Sequence, residues 1–216
     1  MSNPTLVIGN KNYSSWSLRP WLALRKAGIG FDEVKILLDK PDTKQRILEH
    51  SPAGKVPVLV VDGRSIWDSL SICEWAAERK PELWPKDPAD RAHARSISAE
   101  MHSGFMALRA AMPMNIRATG RKVASSPAIE ADVARVLAIW NECRAAHGKH
   151  GPWLFGHFTV ADAMYAPVAT RLRTYGVALD DVSKAYIDTL FADPDFKEWR
   201  AEGEMEEAIL RFEEVG

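Results

Sequence analysis

Residues 54–70 read Gly54-Lys-Val-Pro-Val-Leu-Val-Val-Asp-Gly-Arg-Ser-Ile-Trp-Asp-Ser-Leu70. Pro57 opens an apolar run, a place where a strand tolerates a missing N–H. Val58–Val61 then reads as a strand, Asp62-Gly63 as a tight two-residue turn, and Arg64–Trp67 as the returning strand. Asp68-Ser69 offers helix-capping side chains. Ser69–Arg79 follows as a helix, with Leu70, Cys73 and Ala77 spaced for one face and Ile72 and Ala76 beside it. The stretch is therefore a ββα unit.

Working outward, Thr5–Ile8 reads as a strand and Leu18–Ala27 as a helix whose first turn accepts Pro20. Phe31–Leu38 gives a second strand and Asp42–Glu49 a short helix. The order βαβ-α-ββα predicts a mixed sheet, its first two strands made parallel by a right-handed crossover. Pro81, Pro85 and Pro88 stop any continuing helix, so 81–88 is expected to be a linker. Beyond it the periodicity is helical over Ala89–Met112, Ala128–His147, Val160–Arg173 and Ser183–Phe191, with a short helix at Asp195–Ala201. The fold class expected is α/β plus all-α, with an α/β domain over 1–80 and an all-helical domain over 89–216.

With 216 residues, 46% of them hydrophobic and 26% charged, the chain has the composition of a globular protein. A formal net charge of -1 gives no electrostatic case for a nucleic-acid or membrane partner. The opening Met-Ser-Asn-Pro lacks the basic start and apolar core of a signal peptide. Cys73 and Cys143 form no metal spacing and lie in helical patterns, so two buried thiols in a reducing cytoplasm are expected. His147, His150 and His157 stand among glycines without nearby acidic or thiol ligands, which reads as a solvated loop. No metal is expected.

Two short motifs can carry chemistry, and a third is structural. In Asn10-Lys-Asn-Tyr-Ser-Ser-Trp-Ser-Leu-Arg-Pro-Trp21, serines sit between the first strand and the first helix. They either cap that helix or present a hydroxyl beside its unsatisfied N–H groups. Asp68-Ser69 caps the next helix and also builds a site where N–H groups and a hydroxyl take a carboxylate while Asp68 takes an ammonium. Phe158-Thr-Val-Ala-Asp162 is a capping box with Asp in place of the usual Glu, and reads as structural.

Together these elements resemble the cytosolic glutathione transferase superfamily over essentially the whole chain. Ser14-Ser15-Trp16-Ser17-Leu18-Arg19 is similar to the zeta-class signature that opens S-S-C and continues S-W-R. Ser51-Pro-Ala-Gly-Lys-Val56-Pro57 stands where the family has N-P-x-x-x-V-P, Asp68-Ser69 where it has Q/E-S, and Thr159–Asp162 matches its helical capping box. The resemblance implies a thioredoxin-like N-terminal domain, glutathione as co-substrate and a homodimer. It implies that the Ser14 hydroxyl contacts the glutathione sulfur, with Ser15 in that role if the turn is shifted by one, and Trp16 beside them. Val56 would pair its backbone with the cysteinyl unit, with Pro57 cis. Asp68 and Ser69 would hold the γ-glutamyl end, and Lys55 would reach the glycyl carboxylate. Trp16 in place of the signature cysteine, with Glu100-Met-His-Ser-Gly104 and Pro113-Met-Asn115, sets the chain apart from the zeta pattern. The C-terminal half looks more like a bacterial subgroup without an assigned substrate.

The function expected is conjugation of glutathione to a small apolar electrophile, held between the turn at Trp16 and the helix containing Met101–Met112. The serine stabilises the thiolate rather than attacking, since no histidine lies near it in sequence to act as its base. Tyr13 is a competing hydroxyl. The alternatives are glutathione-dependent cis–trans isomerisation of a conjugated diacid, as in maleylacetoacetate isomerase, with Arg19, Arg109 and Arg117 as cations, and a non-catalytic glutathione-binding module.

Overall fold

The computed structural model describes residues 3–216. Its sheet has the order β2-β1-β3-β4, built from β1 (Thr5–Ile8), β2 (Asp32–Lys35), β3 (Val58–Val61) and β4 (Arg64–Ile66). β1 runs parallel to β2, with Thr5 opposite Asp32, and antiparallel to β3, with Leu6 opposite Leu59. The β3–β4 hairpin closes through Asp62 and Gly63 at φ +48° and +76°, the left-handed pair that a two-residue turn between twisted strands requires.

Alternation along β1 divides the core. Leu6 and Ile8 face α1 (Ser15–Ala27) and α3 (Ser69–Arg79), while Val7 packs with Ile36, Val58 and Ile47 of α2 (Thr43–Leu48) on the other face. The main core continues from Leu18, Leu22 and Cys73 into the helical half, where Trp140, Met164, Tyr165 and Trp199 are buried. That half comprises α4 (Pro88–Ser103), α5 (Met106–Ala111), α6 (Pro127–His147), α7 (Val160–Thr174), α8 (Asp181–Ala192) and α9 (Pro194–Glu204). α7 is buried along nearly its whole length and packs against α1 and α4. Its capping box forms as expected: Thr159 N–H donates to Asp162 Oδ2 at 2.7 Å. Leu154 N–H and Tyr186 O–H reach Oδ1 at 3.0 and 3.2 Å. Four donors thus surround one buried carboxylate, counting the Thr159 hydroxyl at 2.9 Å.

Four expectations need correction. The second strand covers only Asp32–Lys35 of the expected Phe31–Leu38, because past Lys35 the chain leaves β1, which ends at Ile8 opposite it. The first helix begins at Ser15 rather than Leu18, because Ser14 supplies the N-cap; Pro20 therefore falls in the second turn. The helix expected over 89–112 breaks at Gly104 and Phe105. A Cβ at Gly104 would stand 2.8 Å from the Glu100 carbonyl, and Phe105 follows in the left-handed region at φ +59°. In the expected linker, Pro81–Leu83 forms a 3-10 turn, and Pro88 is already the first residue of α4.

Candidate functional site

The turn between β1 and α1 is held from behind by distant groups. Glu206 accepts the N–H of Lys11 at 2.8 Å and of Asn12 at 3.1 Å through its two oxygens. The buried Lys11 ammonium pairs with Glu33 and Glu202 at 2.9 and 2.7 Å. Asn12 bridges to Asn115 and to the N–H of Arg117. These contacts fix the chain that delivers Ser14. Sequence reasoning missed Glu206 and Glu202, which lie some 190 residues from their partners.

Ser14 Oγ accepts the Ser17 N–H at 3.4 Å and lies 2.7 Å from Ser17 Oγ. Ser17 Oγ in turn accepts the Gly9 N–H at 3.1 Å. Either hydroxyl can be the donor in this pair; with Ser17 donating, the Ser14 proton is free to turn outward. Ser15 lines the same space; among the described residues its hydroxyl has no hydrogen-bond partner. Tyr13 is otherwise engaged: its hydroxyl donates to Glu214 Oε1 and accepts from Arg117, each at 2.5 Å. Burial, reinforced by Glu214, raises the phenol above its ordinary range, so it stays protonated.

A cleft of about 520 Å³ opens beside this turn, bordered by Ser14, Ser15, Trp16, Lys55, Val56, His102 and Arg109. It meets a second hollow of about 500 Å³ across Trp16, Lys55, Val56 and His102, which reaches Pro57, Asp68 and Ser69. The two together gather the eight residues that the resemblance assigns to glutathione: Ser14, Ser15, Trp16, Lys55, Val56, Pro57, Asp68 and Ser69. The Val56–Pro57 and Trp67–Asp68 peptide bonds are cis. Asp68 caps α3 through Oδ1, which accepts the Leu70 N–H at 3.1 Å. Ser69, the first residue of α3, is fully buried, and its hydroxyl has no partner among the described residues. A buried orphan hydroxyl at the N-terminus of an 11-residue helix fits an anionic oxygen.

The other wall is cationic. Trp16, 38% exposed, has the Arg19 guanidinium 4.3 Å and that of Arg109 5.0 Å from its ring centre. Arg19 is fully buried, and none of its three guanidinium nitrogens has a hydrogen-bond partner among the described residues. Burial holds it well below the ordinary arginine range, with Arg109 and Arg171 adding repulsion. Arg171 also borders the cleft; burial brings it down to about 10, and it donates to the carbonyls of Arg109 and Met112. Arg117, expected with Arg19 and Arg109 as a cation for substrate, instead faces Tyr13, Glu214 and the carbonyls of Glu206 and Ala208. Arg171 takes its place beside the cleft. His102 from α4 also enters the site, its ring edge-on to Trp16 at 5.3 Å. The two cysteines are buried and pushed far above the ordinary thiol range, Cys143 to about 12. No cluster of potential metal ligands is found among the described residues, and no helix there is long and apolar enough to cross a membrane.

Residues 13–79 match the sequence model of the glutathione S-transferase N-terminal domain, and residues 116–202 that of the glutathione S-transferase C-terminal domain. A probable maleylacetoacetate isomerase of Caenorhabditis elegans is 41% identical over 112 residues, covering 50% of this chain and 51% of that protein. Maleylacetoacetate isomerase of Rattus norvegicus is 37% identical over 111 residues, covering 49% and 50%. The matched region thus spans about half the length of these relatives. Among solved structures, a glutathione transferase homolog from Burkholderia, with bound glutathione, superposes with a TM-score of 0.73 at 22% identity, covering 94% of this chain and 98% of that one. The tau-class glutathione S-transferase of mango gives 0.70 at 21%, covering 92% of each.

Proposed function

Because the chain belongs to the glutathione S-transferase family, matched by the models of both its domains over well over half of its length, we propose that it binds glutathione and delivers the sulfur, as thiolate, to a small electrophile. The tripeptide lies across the second hollow. Its γ-glutamyl carboxylate meets Ser69 and the N-terminus of α3, its ammonium meets Asp68, its cysteinyl backbone pairs with Val56, and its glycyl carboxylate comes within reach of Lys55. The sulfur then points to Ser14, with Ser15 the alternative hydroxyl. The electrophile rests against Trp16 in the adjoining cleft.

The observation that carries this reading is the chain of hydrogen bonds from Gly9 N–H through Ser17 to Ser14. With Ser17 as the donor of that pair, it fills the acceptor side of the Ser14 hydroxyl and leaves its proton for an anion. A free thiol has a pKa of about 8.5, and the thiolate is the nucleophile. One hydrogen bond to a charged group is worth roughly 1.5–3 kcal/mol and the terminus of α1 adds about 0.3–1 kcal/mol. At about 1.36 kcal/mol per pKa unit, the two together bring the thiol to about 5.6–7.2. The thiol proton leaves to solvent, the sulfur–carbon bond forms, and the leaving group departs with its electron pair. Ser14 stabilises the anion and does not become acylated.

A second reading is favoured by the arginines. A cleft bordered by Arg109 and Arg171, with Arg19 behind Trp16, suits an acceptor bearing carboxylates. In that case the thiolate adds to a conjugated cis double bond, the resulting single bond rotates, and the thiolate leaves, as the names of the isomerase relatives suggest. Family resemblance also supports a homodimer, which light scattering would test. Calorimetric titration with glutathione comes first, then assays with an apolar aryl electrophile and with a cis-configured conjugated diacid. Conjugation supports the main reading, and isomerisation without conjugation moves the conclusion to the second. Binding without turnover leaves a glutathione-holding module, and absence of binding removes all three.

A further inference from the structure

His102 is the side chain of the helical half that borders both hollows. It stands in the last turn of α4, and the carbonyls around it are gathered by Arg109 of α5. The Arg109 guanidinium donates from Nε to Gly104 O at 2.8 Å and from Nη2 to the carbonyls of Met101 and, at 3.4 Å, His102. Trp16 braces one edge of the ring. So placed, Nε2 lies 3.1 Å from Asp68 Oδ2, across the boundary between the two halves of the chain. Nδ1 is buried and has no partner among the described residues. Donation from Nε2 is the arrangement that uses the one polar contact the ring makes among the described residues.

Asp68 is 54% exposed on its side chain, and a carboxylate that open would ordinarily sample several rotamers. Here one oxygen accepts from Leu70 N–H and the other from His102. Each oxygen keeps a further lone pair for a ligand, since an ionised carboxylate has about four acceptor sites. We propose that His102 is a positioning residue that fixes the Asp68 carboxylate, from the opposite domain, as the acceptor for the α-ammonium of a γ-glutamyl peptide. This rests on the glutathione reading above and deepens it. The sheet domain supplies the acceptor, and the helical domain sets its direction.

The test measures glutathione affinity by calorimetry for the wild type, His102→Ala and His102→Gln. It also uses the tripeptide analogue in which the α-amino group is replaced by hydrogen. Net loss of one hydrogen bond that orients the carboxylate is expected to weaken glutathione about tenfold in His102→Ala, the factor that corresponds to about 1.4 kcal/mol. Glutamine, which keeps an N–H donor, restores affinity to within about threefold of wild type on the same scale. The analogue lacking the ammonium binds wild type and His102→Ala alike. Equal or tighter glutathione binding in His102→Ala overturns the proposal, as tighter binding would make His102 a competitor for Asp68. Equal weakening of glutathione and the analogue also overturns it, because His102 would then shape the cleft generally. If His102→Ala does not fold, the Gln variant decides: the inference fails if it differs from wild type by the same factor for both ligands. Failure of the wild type itself to bind glutathione is a separate result and removes the underlying reading.

Discussion

Replacing Ser17 with alanine separates two consequences of the serine turn. Ser17 Oγ accepts the buried Gly9 N–H at 3.1 Å and contacts Ser14 Oγ at 2.7 Å. Its removal leaves that N–H without an acceptor, at a cost of about 1–3 kcal/mol. In a chain of this size each kcal/mol lowers Tm by about 2–4 °C, so Tm falls by about 2–12 °C. The effect on the bound thiol is indirect. Ser14 keeps its hydroxyl and loses only the bond that polarises it. Such cooperativity is of order 10–30% per bond, applied to a charged hydrogen bond of roughly 1.5–3 kcal/mol. The product is about 0.15–0.9 kcal/mol, which raises the thiol's pKa by about 0.1–0.7. Thermal melting together with a pH titration of the ultraviolet thiolate absorbance of bound glutathione reads both quantities. An unchanged Tm, or a pKa rise as large as that produced by removing Ser14 itself, refutes the relay.

Other substitutions probe the rest of the site and its frame. Arg19→Met removes a buried charge whose nitrogens lack partners, and with it the cost of holding that ion out of water. Its Tm should therefore hold or rise while affinity for carboxylate-bearing acceptors falls, and a clear drop in Tm contradicts this. Glu206→Ala strips the acceptor from two backbone N–H groups of the turn, at about 1–3 kcal/mol each. Denaturant unfolding should show that loss together with weaker glutathione binding, and unchanged affinity would separate the clamp from the site. Burial pushes Asp162 up to about 6 from an ordinary 3.8. The native chain then binds this proton more tightly than the unfolded one. The stabilisation from this group is present below about pH 4 and lost as pH rises through about 6. Wild-type stability relative to Asp162→Asn should fall by about 3 kcal/mol across that window, and a rise would reverse the assignment.

The parts legible in the sequence were those specified by neighbouring residues. The Asp62-Gly63 turn fixes its own hairpin, Asp68 caps the helix it precedes, and Thr159 and Asp162 close their box across three residues. Asp68 and Ser69 reach the hollows on such a local structure, whereas Ser14, Ser15 and Trp16 sit on a turn that also needs the distant Glu206 and Glu202. The start of α1 at Ser15 was also available, since Ser14 and Ser17 stand at capping distance, but Pro20 drew the expected start inward. Contacts across long separations left little trace. Nothing near Lys11 announces Glu206, and nothing near Asp68 announces His102, although Glu100-Met-His-Ser-Gly104 stood out as unlike the zeta pattern. Arg19 gave a faint signal as a lone charge among Leu18, Trp21 and Leu22. Its complete burial depends on Trp16 and on the helical half packing above it. Arg117 was misplaced for the same reason: the C-terminal segment, with Glu214, claims it.

The central claim is that the turn at Ser14 lowers the pKa of a bound glutathione thiol. Titration of the thiolate absorbance in wild type, Ser14→Ala and Ser15→Ala tests it most directly. The account predicts a depressed pKa in wild type, a rise of about 1–2 in Ser14→Ala, and little change in Ser15→Ala. Glutathione that binds wild type with an unshifted pKa, or a depression that survives in both variants, would contradict it.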